Sequence, residues 1–205
     1  MSVIHSVLVA DGSSDRMLIP ILQKLLSELS QDTGFADIVF AATGKGSLSE
    51  RVAQAVTKYP CDIIFVHRDA ENQASDLRYA EINASRPRLD SQHLVSIVPV
   101  RMTEAWLLVD PDAIRRSVGS NDLTVQLGLP NLSKVESCDA KALLDSALSN
   151  AVNLNSRRRR RFRPEEYRTR VAELLTSIEP LRKLPSFMRL EGELKAVLNK
   201  LALSV

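Results

Sequence analysis

The sequence predicts an α/β protein with a mostly parallel four-stranded sheet flanked by helices and with a helical C-terminal half. Short apolar runs alternate with amphipathic stretches in the N-terminal half, which is typical of parallel strands joined by crossover helices. Turn-forming residues separate these segments. Beyond about residue 100 no further convincing strand appears and helical patterns predominate.

The chain is expected to begin with a strand, a turn and a helix. Residues 3–10 form an apolar run, Gly12 and the two serines after it favour a turn, and residues 15–29 carry apolar side chains at helical spacing. The first residues lack the basic start and the cleavage site of a signal peptide, so we interpret them as the first strand.

The rest of the predicted core alternates in the same way. Ser47 and Glu50 have the spacing of a capping box, which predicts a helix start, and Pro60 ends that helix. The core elements predicted after the first helix are strands over 36–42, 62–67 and 94–99 and helices over 47–59 and 72–85.

The C-terminal half is predicted to consist of helices. A core over 1–118 is expected to carry a helical extension over 119–205, packed on it as one compact unit, with turn formers between 119 and 136. The predicted helices cover 103–109, 111–118, 138–151, 164–177 and 186–202. Asp110 before Pro111 is interpreted as a helix cap.

Composition narrows the class of protein. The 205 residues suit one large domain, and the net charge of +2 does not by itself indicate nucleic-acid binding. Cys61 and Cys138 are far apart without a zinc-binding spacing, which favours thiols in a reducing compartment. Because no apolar run is long enough to span a bilayer, we expect a cytoplasmic protein without a membrane partner.

Acidic residues follow two of the predicted strands. Asp11 comes after the first strand, and Asp69 and Glu71 come after the third, so all three should lie at the carboxyl edge of the sheet, where open α/β sheets bind ligands. Carboxylates about 4 Å apart repel each other by roughly 1 to 4 kcal/mol per pair, which a divalent cation relieves. We therefore predict a Mg²⁺ or Mn²⁺ site for phosphate chemistry, with Glu104 as a further acid.

Several polar residues near the same edge are candidates for phosphate contacts. Gly12 and Ser13 form the turn before the first helix, Lys45 lies in a glycine-rich turn, and Arg68 follows the third strand. Each has an alternative: Asp11 could be a helix cap, the segment 67–71 could be an exposed loop, and Lys45 could belong to an ordinary turn.

The sequence contains a run of five arginines, although its positive and negative charges are otherwise nearly balanced. Phosphates of a nucleic acid would relieve the repulsion within such a run. A solvated loop or an acidic partner subunit, including another copy of the chain, is an equal alternative. The run consists of Arg157, Arg158, Arg159, Arg160 and Arg161, and Arg163 extends it.

The acidic segments resemble the Toprim fold, the catalytic domain of topoisomerases, bacterial primases and overcoming-lysogenization-defect nucleases. Asp11 stands where that family has a glutamate, Gly12, Ser14 and Asp15 match the residues that follow, and His67 and Asp69 occupy the Asp-x-Asp positions. The resemblance implies a Rossmann-like core, an acid or base role for Asp11 and magnesium binding by Asp69, with Glu71 as a compensating ligand.

A bacterial group of Toprim-related proteins of unknown function, some encoded with defence systems, is also similar. The similar segments are 67–71, 103–110 and 184–187, and the likeness covers most of the chain. The expected function is metal-dependent phosphodiester hydrolysis by a nuclease of bacterial defence or mobile elements, with Asp11, Asp69 and Glu71 as catalytic residues. The alternatives are a non-catalytic subunit, for example of an ATPase, and a phosphohydrolase acting on a small nucleotide.

Overall fold

A four-stranded parallel sheet forms the centre of the molecule, and this confirms the predicted fold class. The structure is a computed structural model that describes residues 3–30, 34–41, 45–71, 73–86, 93–152 and 161–203. The strands are β1 (Val3–Ile4), β2 (Ser6–Val9), β3 (Gly34–Phe35), β4 (Val39–Ala41), β5 (Ile63–His67) and β6 (His93–Ile97). The main sheet has the order β4-β2-β5-β6, and β1 pairs with β3 in a separate parallel pair.

Helices flank the sheet and make up the C-terminal half. They are α1 (Leu18–Leu29), α2 (Leu48–Lys58), α3 (Ser75–Ala84), α4 (Pro111–Ser117), α5 (Ala140–Ala151), α6 (Arg168–Leu174) and α7 (Pro185–Leu203). Short 3-10 helices cover Ser13–Met17, Thr103–Leu107, Leu132–Lys134, Pro164–Tyr167 and Leu181–Lys183. The predicted capping box is confirmed, since Ser47 and Glu50 cap each other at the start of α2.

Some helices are shorter than the sequence predicted, and Asp110 explains two of the differences. Its Oδ1 atom accepts hydrogen bonds from the first-turn N–H groups of α4, so the segment before it ends as a 3-10 helix, Thr103–Leu107. Its Oδ2 atom accepts from both the N–H and the hydroxyl of Thr176, which holds the chain in a turn after Leu174. The predicted cap at Asp110 is confirmed, and it also ties α4 to the end of α6.

The two faces of the sheet bury different hydrophobic clusters. Successive strand residues point to opposite faces, so Leu8 and Phe65 lie in one cluster while Val7 and Ile64 lie in the other. The first cluster includes residues of α1 and of the C-terminal helices, and the second includes residues of α2 and α3. The strands are therefore buried on both faces, as parallel sheets require.

The C-terminal half packs around Trp106, which is fully buried. Its ring meets Phe187 edge to face at a centroid distance of 5.3 Å, and its indole N–H donates to the Ser186 hydroxyl at 2.9 Å. One hydrophobic cluster thus contains residues from both the sheet and the helical half.

The last strand of the sheet is covered by the last helix. The N–H of Ser96 in β6 donates to the Glu193 carboxylate of α7 at 2.9 Å. This bond satisfies a backbone donor at the edge of the sheet. No helix in the described segments is both long enough and apolar enough to cross a membrane.

Candidate active site

The candidate site lies where the chain changes direction across the sheet. Because β4 lies on one side of β2 and β5 lies on the other, the carboxyl ends of β2 and β5 flank a topological switch point. A cavity of about 310 Å³ opens there. It is lined by Asp11, Gly12, Ser14, Asp15, His67, Arg68, Asp69, Glu71 and Arg78.

A buried histidine lies between two carboxylates of this cavity. His67 is the last residue of β5 and is 1% exposed. Its Nδ1 atom lies 3.4 Å from Asp15 Oδ2, an ion-pair distance, and its Nε2 atom lies 3.2 Å from Asp69 Oδ1. Burial alone would lower the pKa of His67, but the two carboxylates outweigh burial and raise it to about 9. The imidazole is therefore protonated at neutral pH.

The pKa of Asp15 is shifted in the opposite direction. Burial alone would raise the pKa of its carboxyl, but His67 and the N–H of Gly12, which donates to Oδ2 at 2.9 Å, bring the pKa below its usual value. Asp15 and Asp69 are thus two anions that share one imidazolium. From the sequence, a metal ion alone was expected to relieve the repulsion between the carboxylates. In the structure, the imidazolium of His67 compensates this repulsion.

Thr103 completes this arrangement from the first turn of the C-terminal half. Thr103 is 1% exposed, and its Oγ1 atom lies 2.9 Å from His67 Nε2 and 3.3 Å from Asp69 Oδ1. With His67 protonated, the hydroxyl accepts from the Nε2–H and donates to Asp69. The bonds occupy Oδ1 of Asp69, whereas Oδ2 has no hydrogen-bond partner among the described residues.

Asp11 lies at the exposed rim of the cavity. Its carboxylate is 43% exposed, and it pairs with Arg51 of α2 at 3.0 Å and with Arg68 at 3.3 Å. The predicted site residue is therefore present in the cavity, but two guanidinium groups already contact it.

Glu71 differs from the other acids of the cavity. It has a φ of +54°, and among the described residues it is the one non-glycine residue in the left-handed region. Its N–H donates to the Arg101 carbonyl at 3.0 Å, which helps to hold this conformation. Across the described segments, its carboxylate forms no hydrogen bond or ion pair. Strained backbone of this kind is concentrated at functional sites.

Glu104, the fourth acid predicted to bind metal, is not among the residues that line the cavity. It is buried and bonds Arg168 of α6 at 2.9 Å, and Arg168 in turn contacts both carboxylate oxygens of Asp145 at 2.9 Å. Burial raises the pKa of Glu104, and Arg168 offsets part of that effect. The geometry gives Glu104 a structural contact with the helices of the C-terminal half.

The other predicted phosphate contacts are distributed differently. Gly12 and Arg68 line the cavity, whereas Ser13 and Lys45 are exposed and do not. Arg161 and Arg163 are exposed, with Phe162 stacked on Tyr167 at 5.0 Å between centroids. Residues Arg157, Arg158, Arg159 and Arg160 lie outside the described residues.

Sequence reasoning did not include four of the cavity residues, Ser14, Asp15, His67 and Arg78, among its site residues. Ser14 and Asp15 follow the turn after Asp11, and Asp15 carried a usable signal because it matches the Toprim pattern. Arg78 had no comparable signal, since it lies within α3 and follows no strand. Thr103, which contacts His67, was also missed as part of the site.

The donor set fits a divalent cation only in part. Within the described ranges, no group of three or more His, Cys, Asp and Glu side chains is arranged to hold a metal ion. Asp69 Oδ2 and the Glu71 carboxylate nevertheless have no described partner. Two carboxylates, with water and substrate oxygens as the remaining ligands, are a coordination that suits magnesium.

Comparisons of the chain with protein-family models, with curated proteins and with solved structures found no match.

Proposed function

We propose that this protein hydrolyses phosphodiesters at the cavity beside β2 and β5, with one Mg²⁺ or Mn²⁺ ion held by Asp69 and Glu71. The observation that supports the proposal is that four carboxylates line one cavity at the switch point of a parallel sheet. When bound, the cation would activate a water molecule and stabilise charge on the phosphate.

The residues of the chain have separate tasks in this proposal. His67 and Thr103 orient Asp69 through its Oδ1 atom, and Oδ2, which has no described partner, would bind the ion. Glu71 supplies a carboxylate that no described residue neutralises. Asp11 at the rim is the residue proposed to exchange a proton with the attacking water. The imidazolium of His67 is buried, its Nε2 atom contacts Thr103 and Asp69, and its Nδ1 atom lies at an ion-pair distance from Asp15. It therefore orients Asp69 and does not contact the substrate.

The experiment is a calorimetric titration with Mg²⁺ and Mn²⁺, followed by cleavage assays on DNA and RNA oligonucleotides. We expect Glu71→Gln to weaken metal binding by at least about tenfold, because a charged ligand is lost while no described contact is broken. Asp69→Asn should behave in the same way and abolish cleavage. Asp112→Asn removes an exposed carboxylate outside the cavity and should match the wild type. Metal binding that is equal in all four proteins would reject the proposal.

The ion pairs of the cavity favour a second candidate function. Asp11 pairs with Arg51, and Asp15 and Asp69 share His67, so three of the four carboxylates have a basic partner within 3.4 Å without a metal. In that case the protein would be a non-catalytic subunit whose helical half docks a partner such as an ATPase. The same titration separates the two candidates, since the subunit would give no metal-binding heat that depends on Asp69 or Glu71.

A further inference from the structure

Two arginines on the wall of the cavity are held by one carboxylate. Arg68 follows β5, Arg78 lies on α3, and Glu81 lies one helical turn after Arg78. Glu81 Oε1 is 3.4 Å from Arg68 Nη1, and Glu81 Oε2 is 3.0 Å from Arg78 Nη1. Each oxygen of Glu81 therefore holds one guanidinium group, and both arginines face the same cavity.

One backbone contact and a second carboxylate fix the position of these two side chains further. Arg78 Nε donates to the Asp69 carbonyl at 3.1 Å, which ties the helix to the loop that carries the proposed metal ligands. Arg68 Nε and Nη1 lie 3.3 and 3.4 Å from the Asp11 carboxylate. The arginine side chains are only 20% and 14% exposed. These arginine side chains have thus already lost much of the conformational entropy that a flexible arginine would lose on binding a ligand.

Both guanidinium groups still have donors to offer. The Nη2 atoms of Arg68 and Arg78 make no hydrogen bond to any described residue. Planar guanidinium forks suit the oxygens of phosphate, and such charge-assisted hydrogen bonds are among the stronger ones in proteins. The contacts to Asp11 and Glu81 orient the two guanidinium groups without using the Nη2 atoms.

The cavity is lined by groups of both charges. Asp69 and Glu71 provide carboxylate oxygens that suit a cation, whereas Arg68 and Arg78 provide N–H donors that suit an anion. Arg78 Nε bonds the Asp69 carbonyl, so the arginines and the proposed metal ligands are neighbours in one cavity. This is the arrangement that a metal-dependent phosphoryl site needs, because the metal and the cations of the protein must share the charge of one phosphate.

We propose that Arg68 and Arg78, bridged by Glu81, form an anion subsite that binds a phosphate group of the substrate and does so without a metal ion. The assignment of this phosphate to a substrate rests on the proposed function, but the subsite itself can be tested alone. Arg78 and Glu81 are additions to the site, and Glu81 is a positioning residue because it acts through the two arginines.

The test measures binding of inorganic phosphate to the purified protein in the presence of EDTA, by calorimetry and by phosphorus NMR line broadening. We expect saturable binding by the wild type and a loss of at least about tenfold in affinity for Arg78→Gln, as expected when a charge-assisted hydrogen bond is lost. Arg78→Lys should bind with intermediate affinity, since it keeps the charge and loses the fork.

Arg115→Gln is a closely matched control. Arg115 is 13% exposed against 14% for Arg78, pairs with an acid three residues away and also donates to a backbone carbonyl, yet it lies outside the cavity. Its phosphate affinity should equal that of the wild type. Circular dichroism of each variant verifies that it is folded, and Arg68→Lys provides a second variant if Arg78→Gln is not.

The outcomes separate this proposal from the proposed function. Failure of the wild type to bind phosphate at physiological ionic strength, or equal affinities for the Arg78 variants and Arg115→Gln, would overturn the anion subsite. Phosphate binding as expected together with no metal-binding heat would keep the subsite and reject the metal-dependent hydrolysis. Metal binding without phosphate binding would reject the subsite and keep the metal-dependent hydrolysis.

Discussion

The hydroxyl of Thr103 lies 2.9 Å from Nε2 of His67, so the first turn of the helical half contacts the last residue of the third strand of the main sheet. The same hydroxyl lies 3.3 Å from Asp69 Oδ1. The orientation of the imidazolium and of one proposed metal ligand therefore depends on a residue from the other half of the chain.

Replacement of Thr103 should show the value of this contact. We expect Thr103→Val, which keeps the shape of the side chain, to lower the free energy of unfolding by about 1 to 2 kcal/mol, because buried polar atoms lose a partner. Urea unfolding measures the effect. Thr103→Ser retains the hydroxyl and should lose clearly less stability than Thr103→Val. Equal losses for the two variants would contradict this, because they would show that the hydroxyl contributes no more than the methyl group.

The stability of the protein should fall at mildly alkaline pH because of His67. The pKa of this histidine is about 9 in the folded protein against 6.5 for an ordinary histidine, so its contribution is complete below pH 6.5 and is lost as pH rises through 9. The difference between these two pKa values corresponds to at most about 3 kcal/mol in the free energy of unfolding. Urea midpoints measured across this range should fall in the wild type and change less in His67→Gln.

His93→Gln serves as the control for that pH dependence, since His93 does not line the cavity. It should keep the pH profile of the wild type. A wild-type profile that matches that of His67→Gln would show that His67 is not the titrating group.

The buried ion pair between Glu104 and Arg168 gives a prediction about stability. Both side chains are 8% exposed. Arg168→Met should lower the free energy of unfolding by about 3 to 5 kcal/mol, because it leaves a buried carboxylate without its cation. Arg170→Met, on the same helix, removes an exposed pair with Glu173 and should cost less than about 1 kcal/mol. Chemical denaturation compares the two variants, and similar losses would contradict the assignment.

The sequence predicted the sheet and part of the site for one physical reason. Continuous apolar runs identify strands buried on both faces, and parallel strands bring their carboxyl ends to a common edge. The sequence alone therefore predicts one location for Asp11, Asp69 and Glu71, and all three line the same cavity.

Contacts over long sequence separations could not be predicted in this way. Glu104 follows a strand like the other acids, but its partner is Arg168, which lies 64 positions away on a helix that no local pattern links to the sheet. Arg78 shows the same difficulty, because its place in the cavity depends on how α3 packs and not on its neighbours in sequence.

The bond from Ser96 to Glu193 has a consequence for self-association. A strand from another molecule that sought to extend the sheet beyond β6 would have to compete with a carboxylate already bound to the backbone there. At the opposite margin, β4 ends the four-stranded sheet. Edge-to-edge pairing of the sheets of two copies would therefore be disfavoured at β6 and would have to use β4.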